Sequence, residues 1–205
     1  MHAEALDKNI GALFPVLVKF PDFYLGGGTA LAFQIGHRIS KDLDLFSDKP
    51  IGKGLLPKAR KVFSGREIKP LVNTADELTI LVDGTKITFL YYPYPVLLGF
   101  VFYRKVRLLS VKEIAASKMY TIGRRGEFKD YVDLYYVLKE NHASLDELIS
   151  VSQNKYGSEF NPRLLLEQLV YLQDLETTEI IFLKESVSKT RLQRFMEQQA
   201  GKLEF

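Results

Sequence analysis

Three successive glycines at 26–28 and two aspartates separated by one residue, Asp42 and Asp44, are the residues of this sequence best suited to chemistry. Glycines at the start of a helix let the backbone approach a ligand closely, and they direct amide groups and the positive end of the helix dipole at an anion. Phosphate is the anion most often bound in this way. A tight turn without a ligand is the alternative interpretation of the glycines.

Asp42 and Asp44 alternate with Leu43 and Leu45, a pattern that predicts a strand with both carboxylates on one face. Two neighbouring carboxylates repel each other, and a cation between them relieves the repulsion. Mg²⁺ suits such a site because it needs few protein ligands and takes its other oxygens from water and phosphate. Surface carboxylates on an edge strand are the alternative, but the apolar neighbours favour a packed strand whose polar face lines a cleft.

Together the glycine turn and the aspartates predict a site for in-line displacement on a nucleotide. The turn would hold the phosphates, while metal-bound carboxylates would polarise the α-phosphorus and activate an attacking hydroxyl. The helix between the two motifs would set the distance between them.

The elements that position these motifs alternate between strand and helix in the first half of the chain. A helix is predicted from Thr29 to His37, directly after the glycine turn, with Thr29 as its amino-terminal cap. Asp83 and Gly84 predict a hairpin turn between two later strands. Further helices are predicted within 1–20 and at 53–63, and strands at 23–25, 42–46, 68–72, 78–82, 86–91 and 107–109.

The second half of the chain shows helical signals. Ser110 with Glu113 predicts a capping box, and Asn161 with Pro162 predicts another helix start. Helices are predicted at 110–122 and 128–138, from 144, from 162 and at 187–199. The predicted fold class is α+β, with a mixed sheet and flanking helices at 1–109 followed by a helical module at 110–205.

Composition excludes several classes of protein. The chain has 205 residues, a formal net charge of +3 and no cysteine, so disulfides, thiolate metal sites and a cysteine nucleophile are excluded. The sequence shows neither a secretory leader nor an apolar run long enough to span a membrane, which predicts a cytoplasmic protein without a membrane partner. Basic residues cluster at 104–107 and 124–129, either as solvated faces or as a track for a phosphate backbone.

Residues 25–46, LGGGTALAFQIGHRISKDLDLF, resemble the signature of the AbiEii/AbiGii-type nucleotidyltransferases of the DNA-polymerase-β-like superfamily. The general pattern is a hydrophobic residue, two small residues and, further on, an Asp-hydrophobic-Asp triplet. Residues 113–138 are similar to the family's helical segment that carries a lysine and, after a basic turn, a Lys-Asp-x-x-Asp-Leu stretch. The matching residues of that segment are Lys118, Arg125, Asp130 and Asp133.

The resemblance implies roles for individual residues. Lys118 would face the nucleotide phosphates, with Asp130 orienting it or contacting the acceptor; snorkelling of Lys118 to solvent is the alternative. A cap or packing partner is the interpretation preferred for His37. The residues implied to bind the nucleotide are Gly27, Gly28, Thr29, Arg38 and Lys86, and those implied to bind Mg²⁺ are Asp42 and Asp44.

One position departs from the family pattern. Thr88 stands where the family usually carries a third acid, and Asp83 is an imperfect substitute. The resemblance implies transfer of a nucleotide from a nucleoside triphosphate to a hydroxyl acceptor. It also implies RNA, such as tRNA, as the acceptor, and the toxin role in a toxin–antitoxin or phage-defence system, with an antitoxin as partner. The alternative is a degenerate module that binds a nucleotide or a partner without transfer.

Overall fold

The computed structural model describes residues 1–203, and the side chain of Arg125, one of the residues in the family resemblance, lies outside the described part. The chain divides into two compact units. The first contains Met1–Pro95 and Gly99–Leu109, and the second contains Val96–Leu98 and the chain from Ser110 onward. The domains predicted at 1–109 and 110–205 stay predictions.

Seven strands of the described residues form one mixed sheet in the first unit, in the order β3-β4-β5-β2-β1-β7-β6. β2 is antiparallel to β1 and parallel to β5, and β7 is parallel to β1. The mixed sheet accompanied by helices confirms the predicted α+β class. The strands are β1 (Tyr24–Gly26), β2 (Asp42–Ser47), β3 (Ile68–Asn73), β4 (Glu77–Val82), β5 (Thr85–Tyr91), β6 (Phe100–Tyr103) and β7 (Val106–Leu109).

The two faces of β2 have different environments. Leu43 and Leu45 are buried, beside Ile87 and Phe89 of β5. Phe20 packs against Phe89 with ring centroids 4.9 Å apart. Burying one such side chain contributes about 1.5–3 kcal/mol, and a slip by one residue would expose the whole set, so the apolar residues determine the register of β2. The alternate residues of β2 therefore face away from this core.

The helices of the first unit are α1 (Lys8–Leu13), α2 (Gly27–Ile35) and α3 (Leu55–Val62). The single helix predicted within 1–20 is wrong, because α1 is followed by a 3-10 helix at Phe14–Lys19. Pro15 has no amide hydrogen, so it cannot donate the hydrogen bond that would continue the α-helix. Strand β6 was not predicted, and it pairs with β7 through a turn in which Arg104 and Lys105 have positive φ angles of 46° and 68°.

The second unit contains helices α4 (Val111–Arg125), α5 (Phe128–Lys139), α6 (Leu145–Tyr156), α7 (Pro162–Val170) and α8 (Lys189–Ala200). The predicted amino-terminal caps are confirmed for α4, where Ser110 accepts from the Glu113 amide, and for α7, where Asn161 accepts from Leu164. The capping box at Ser110 is half formed, because the Glu113 carboxylate accepts hydrogen bonds from the Leu97 and Leu98 amides instead. Among residues 1–203, no helix is long and apolar enough to cross a membrane.

Candidate functional site

The glycine turn connects β1 to α2 without intervening loop residues. Gly26 ends β1 and caps α2, and Gly27 is the first residue of the helix. The predicted start at Thr29 is wrong, and so is its predicted cap. The Thr29 side chain is buried; its hydroxyl lies 2.7 Å from Ser40 Oγ and also donates to the Asp42 carbonyl. Thr29 therefore ties α2 to the start of β2.

The structure explains why two of these positions lack a side chain. Gly26 lies opposite Asp44 in the antiparallel pair, and a Cβ on Gly26 would lie 2.6 Å from the Phe46 ring. Gly27 has a φ of +63°, and its Cβ would overlap Asp44 Oδ2 and lie 3.2 Å from Asp44 Cγ. The carboxylate of Asp44 thus lies against the first residue of α2, where helix amide groups have no acceptor within the helix.

Asp42 and Asp44 lie on the same face of β2, and both are partly exposed. Their Cα atoms are about 7 Å apart, since they are two residues apart on one strand. Lys86 of β5 lies beside Asp42, and Thr88 lies beside Asp44. Parallel neighbours share a face, so the exposed Lys86 adds a positive charge to the face that carries the carboxylates.

The two carboxylates of β2 have the chemistry that a Mg²⁺ site needs. Among residues 1–203, no three His, Cys, Asp or Glu side chains cluster tightly enough to hold a metal ion. Asp42 and Asp44, on one partly exposed face of β2, could offer two carboxylates to Mg²⁺, and its remaining ligands would be water and phosphate oxygens, which is the usual coordination of this ion. The amino end of α2 lies beside Asp44, and such a helix end favours an anion.

The position of the third acid of the family lies on β5 and is occupied by Thr88. Thr88 is paired with Asp44 across the two parallel strands. Asp83, the imperfect substitute, lies in the β4–β5 turn with a φ of 48°. It accepts a hydrogen bond from Arg66 at 2.8 Å and one from the Glu67 amide at 3.0 Å, and both lower its pKa. Asp83 therefore stabilises the turn.

Two further residues, which carry no motif in the sequence, lie on the face of the sheet that contains Asp44. Glu77 and Thr79 of β4 are two residues apart, and Thr79 is paired with Thr88. Thr79 Oγ1 lies 2.6 Å from Glu77 Oε1 and 3.4 Å from Thr88 Oγ1. Alternation along β4 places both on one face, and the registers of β4 with β5 and of β5 with β2 bring them into the row that contains Asp44.

The residues between α2 and β2 are largely buried. His37 is fully buried, and Arg38 is 6% exposed with its guanidinium donating to the Ile39 carbonyl at 3.2 Å. The phosphate contact implied for Arg38, like the nucleotide contacts implied for Gly27 and Gly28, stays a prediction.

Lys118 and Asp130 belong to the second unit, where they contact each other. Lys118 Nζ on α4 lies 2.6 Å from Asp130 Oδ1 and 2.9 Å from Asp133 Oδ2, both on α5. Burial alone would lower the pKa of Lys118, but the two carboxylates outweigh burial and raise that pKa above its ordinary value. The ammonium is therefore held charged in a buried cluster, and the roles of Lys118 and Asp130 toward a nucleotide stay predictions.

Gly27→Ala is expected to destabilise the protein by about 1–2 kcal/mol and to displace the Asp44 side chain. The reason is the left-handed backbone at position 27, which a Cβ disfavours, together with the overlap with the carboxylate. Urea unfolding measures the loss of stability. Gly11→Ala is the control, because a Cβ there meets nothing within 4 Å. Equal stability of both variants and the native protein would contradict the close contact between Gly27 and Asp44.

The comparisons with known proteins extend over nearly the whole chain. A family model described as the nucleotidyl transferase AbiEii toxin of a type IV toxin–antitoxin system matches residues 12–204. The uncharacterised protein aq_aa25 of Aquifex aeolicus (strain VF5) is 33% identical over 83% of this chain and 81% of that protein.

Two solved structures are similar in fold. One, titled "Crystal structure of putative nucleotidyltransferase from H. pylori", has a TM-score of 0.57 at 19% identity and covers 98% of this chain and 97% of that chain. The other, JHP933 from Helicobacter pylori, has a TM-score of 0.56 at 18% identity and covers 96% and 94%. The family match, the shared fold and the glycine turn against Asp44 agree with one another, and the chain belongs to the AbiEii family of nucleotidyltransferase toxins of type IV toxin–antitoxin systems.

Proposed function

We propose that this protein is a Mg²⁺-dependent enzyme that transfers a nucleotide from a nucleoside triphosphate to a hydroxyl acceptor and releases pyrophosphate. The observation that carries the proposal is the contact between the glycine turn and the carboxylate, since a Cβ at Gly27 would overlap Asp44. A phosphate group bound at the amino end of α2 would lie beside that carboxylate.

The residues of the first unit would have separate roles in the reaction. The amides of Gly27, Gly28 and Thr29 would bind the triphosphate, and the exposed Lys86 would attract its charge. Mg²⁺ held by Asp42 and Asp44 would neutralise phosphate charge and favour the ionised acceptor hydroxyl. The buried hydrogen bonds of Thr29 would keep the start of β2 in place against α2.

RNA, including tRNA, is the acceptor that we propose. Two clusters of basic residues, at 104–107 and 124–129, support this proposal, although acidic partners reduce the charge of the second. Arg124 and Lys129 have acidic partners, Glu159 at 3.2 Å and Glu127 at 3.0 Å, which reduce the charge available at 124–129. The cluster at 104–107 begins in the β6–β7 turn. Because β7 runs parallel to β1, this turn lies at the end of the sheet opposite Gly26, about 13 Å away along a four-residue strand. An RNA acceptor that contacts the cluster at 104–107 while its reacting hydroxyl lies near Gly26 must therefore span several nucleotides.

The family also supports a partner protein. AbiEii toxins belong to type IV toxin–antitoxin systems, so we propose a cognate antitoxin as the partner of this chain. The proposed place of action is the cytoplasm, where nucleoside triphosphates and tRNA are available.

Incubation with each radiolabelled nucleoside triphosphate, Mg²⁺ and total RNA tests the proposal. The native protein is expected to label RNA with at least one nucleotide, and Asp42→Asn is expected to label none above background. Sequencing the labelled RNA identifies the acceptor. If the native protein and Asp42→Asn label RNA equally, the carboxylate has no part in transfer and the proposed site is wrong.

A binding module is the second candidate, and Thr88 favours it because a threonine cannot carry the negative charge of the third acid. Tight nucleotide binding by the native protein, with no label transferred in any incubation, would support this candidate over the enzyme.

A further inference from the structure

A row of side chains crosses three strands of the first unit. Asp44 on β2 is paired with Thr88 on β5, and Thr88 is paired with Thr79 on β4. Paired residues of adjacent strands lie on the same face of a sheet. Glu77 lies two residues before Thr79, on the same face, and contacts the Thr79 hydroxyl. The row therefore leads from the proposed site to a carboxylate two strands away.

The chemistry of these groups determines the direction of the hydrogen bonds. A threonine hydroxyl has one proton, and an ionised carboxylate only accepts. The distance of 2.6 Å between Thr79 Oγ1 and Glu77 Oε1 is typical of a hydroxyl that donates to a carboxylate. The Thr79 proton is then engaged in the hydrogen bond to Glu77, so Thr79 Oγ1 acts as the acceptor in its contact with Thr88 Oγ1, at 3.4 Å. The Thr88 proton is directed toward β4, which leaves the lone pairs of its oxygen as acceptors beside Asp44.

We infer that Glu77 is the proton acceptor of the transfer reaction and acts through Thr79 and Thr88. This inference rests on the proposed function. The acceptor hydroxyl gives its proton to Thr88 Oγ1 as the Thr88 proton passes to Thr79 Oγ1 and the Thr79 proton passes to Glu77. The acceptor oxygen then forms its bond to the α-phosphorus, the bond from the α-phosphorus to the bridging oxygen breaks, and pyrophosphate leaves with the electron pair. Glu77 ends protonated and returns its proton to water.

Distance explains why the two hydroxyls are needed. Neighbouring strands are about 4.8 Å apart, so β4 lies about 10 Å from β2 across β5. A carboxylate at that distance lies well beyond the separation of about 4 Å within which two metal sites share ligands. Thr79 and Thr88 are 3% and 6% exposed, so water has little access to the path, whereas Glu77 is partly exposed and can exchange its proton with solvent. Glu77 thus does not touch the substrate and accepts the proton only through the buried hydroxyls.

The test compares Thr79→Val and Glu77→Gln with the native protein. Both variants are expected to lower kcat about 100-fold with the KM for the nucleoside triphosphate unchanged, which is the lower end of the usual contribution of general base catalysis. Thr79→Ser keeps the hydroxyl and is expected to retain activity. Thr85→Val is the matched control, because Thr85 is as buried as Thr88 on the same strand but lies on the opposite face. Melting temperature and nucleotide affinity are measured for each variant.

The pH dependence separates a proton path from packing. Without Glu77, loss of the acceptor proton depends on hydroxide, so kcat of Glu77→Gln is expected to rise about tenfold per pH unit between about pH 6 and pH 9, more steeply than the native rate. Unchanged kcat and pH dependence in Thr79→Val and Glu77→Gln, with an active native protein, would overturn the relay alone. An equal loss in Thr85→Val, or no activity in Thr79→Ser, would assign the effect to packing and also overturn it. A native protein that transfers no nucleotide would overturn the proposed function together with the relay.

Discussion

Asp44→Asn is expected to lower the rate of nucleotide transfer about 1000-fold, which corresponds to about 4 kcal/mol of transition-state stabilisation. Asparagine has nearly the shape of aspartate, so the contact with Gly27 is kept. The negative charge is lost, and with it the ligand that the proposed Mg²⁺ site requires. The effect should therefore fall on transfer and on Mg²⁺-dependent nucleotide binding, and little on stability.

Two measurements check this expectation. The first is the transfer rate at saturating nucleotide and Mg²⁺, and the second is nucleotide affinity by calorimetry with and without Mg²⁺. Asp48→Asn is the matched control, because Asp48 is exposed and lies just beyond the end of β2. We expect Asp48→Asn to behave like the native protein. An equal loss of transfer rate in Asp44→Asn and Asp48→Asn, or a native transfer rate in Asp44→Asn, would contradict the role proposed for Asp44.

Lys155→Met is expected to destabilise the protein by about 3–5 kcal/mol, because it leaves a buried carboxylate without its cation. The carboxylate of Glu113 on α4 contacts Lys155 Nζ on α6, and both side chains are fully buried. Its other oxygen accepts from the amides of Leu97 and Leu98 at 3.1 and 2.9 Å. Burial lowers the pKa of Lys155, and Glu113 opposes that effect. Within the second unit this pair therefore also anchors the segment Val96–Leu98.

Urea unfolding at neutral pH measures the difference. Lys112→Met is the matched control: Lys112 on α4 pairs with Glu147, and both side chains are about 40% exposed, so its loss should change stability by at most about 1 kcal/mol. The double variant Glu113→Gln with Lys155→Met should recover much of the lost stability, since no buried charge remains. If the free energy of unfolding falls no more in Lys155→Met than in Lys112→Met, the buried pair contributes little to stability.

Local patterns in the sequence predicted much of the fold. Alternation of Asp42 and Asp44 with leucines predicted β2 and its polar face, because the two-residue period of a strand is a local property. Ser110 and Asn161 predicted the starts of α4 and α7, because a cap bonds to an amide three residues away. β6 was missed because its turn places Arg104 and Lys105 at positive φ, where Gly and Asn are the usual signals.

By itself the sequence determined the α+β class, the family, and the presence of a glycine turn a short distance before two aspartates of one strand. Only the tertiary structure decided that Asp44 lies against Gly27 and that Thr88, which carries Thr79 and Glu77 beside it, is paired with Asp44. The physical reason is the separation along the chain of the residues that interact. Helix caps, strand alternation and the Asp83-Gly84 hairpin depend on residues a few positions apart, whereas the register of β2 against β5 follows from burying one shared apolar face of residues distant in the chain.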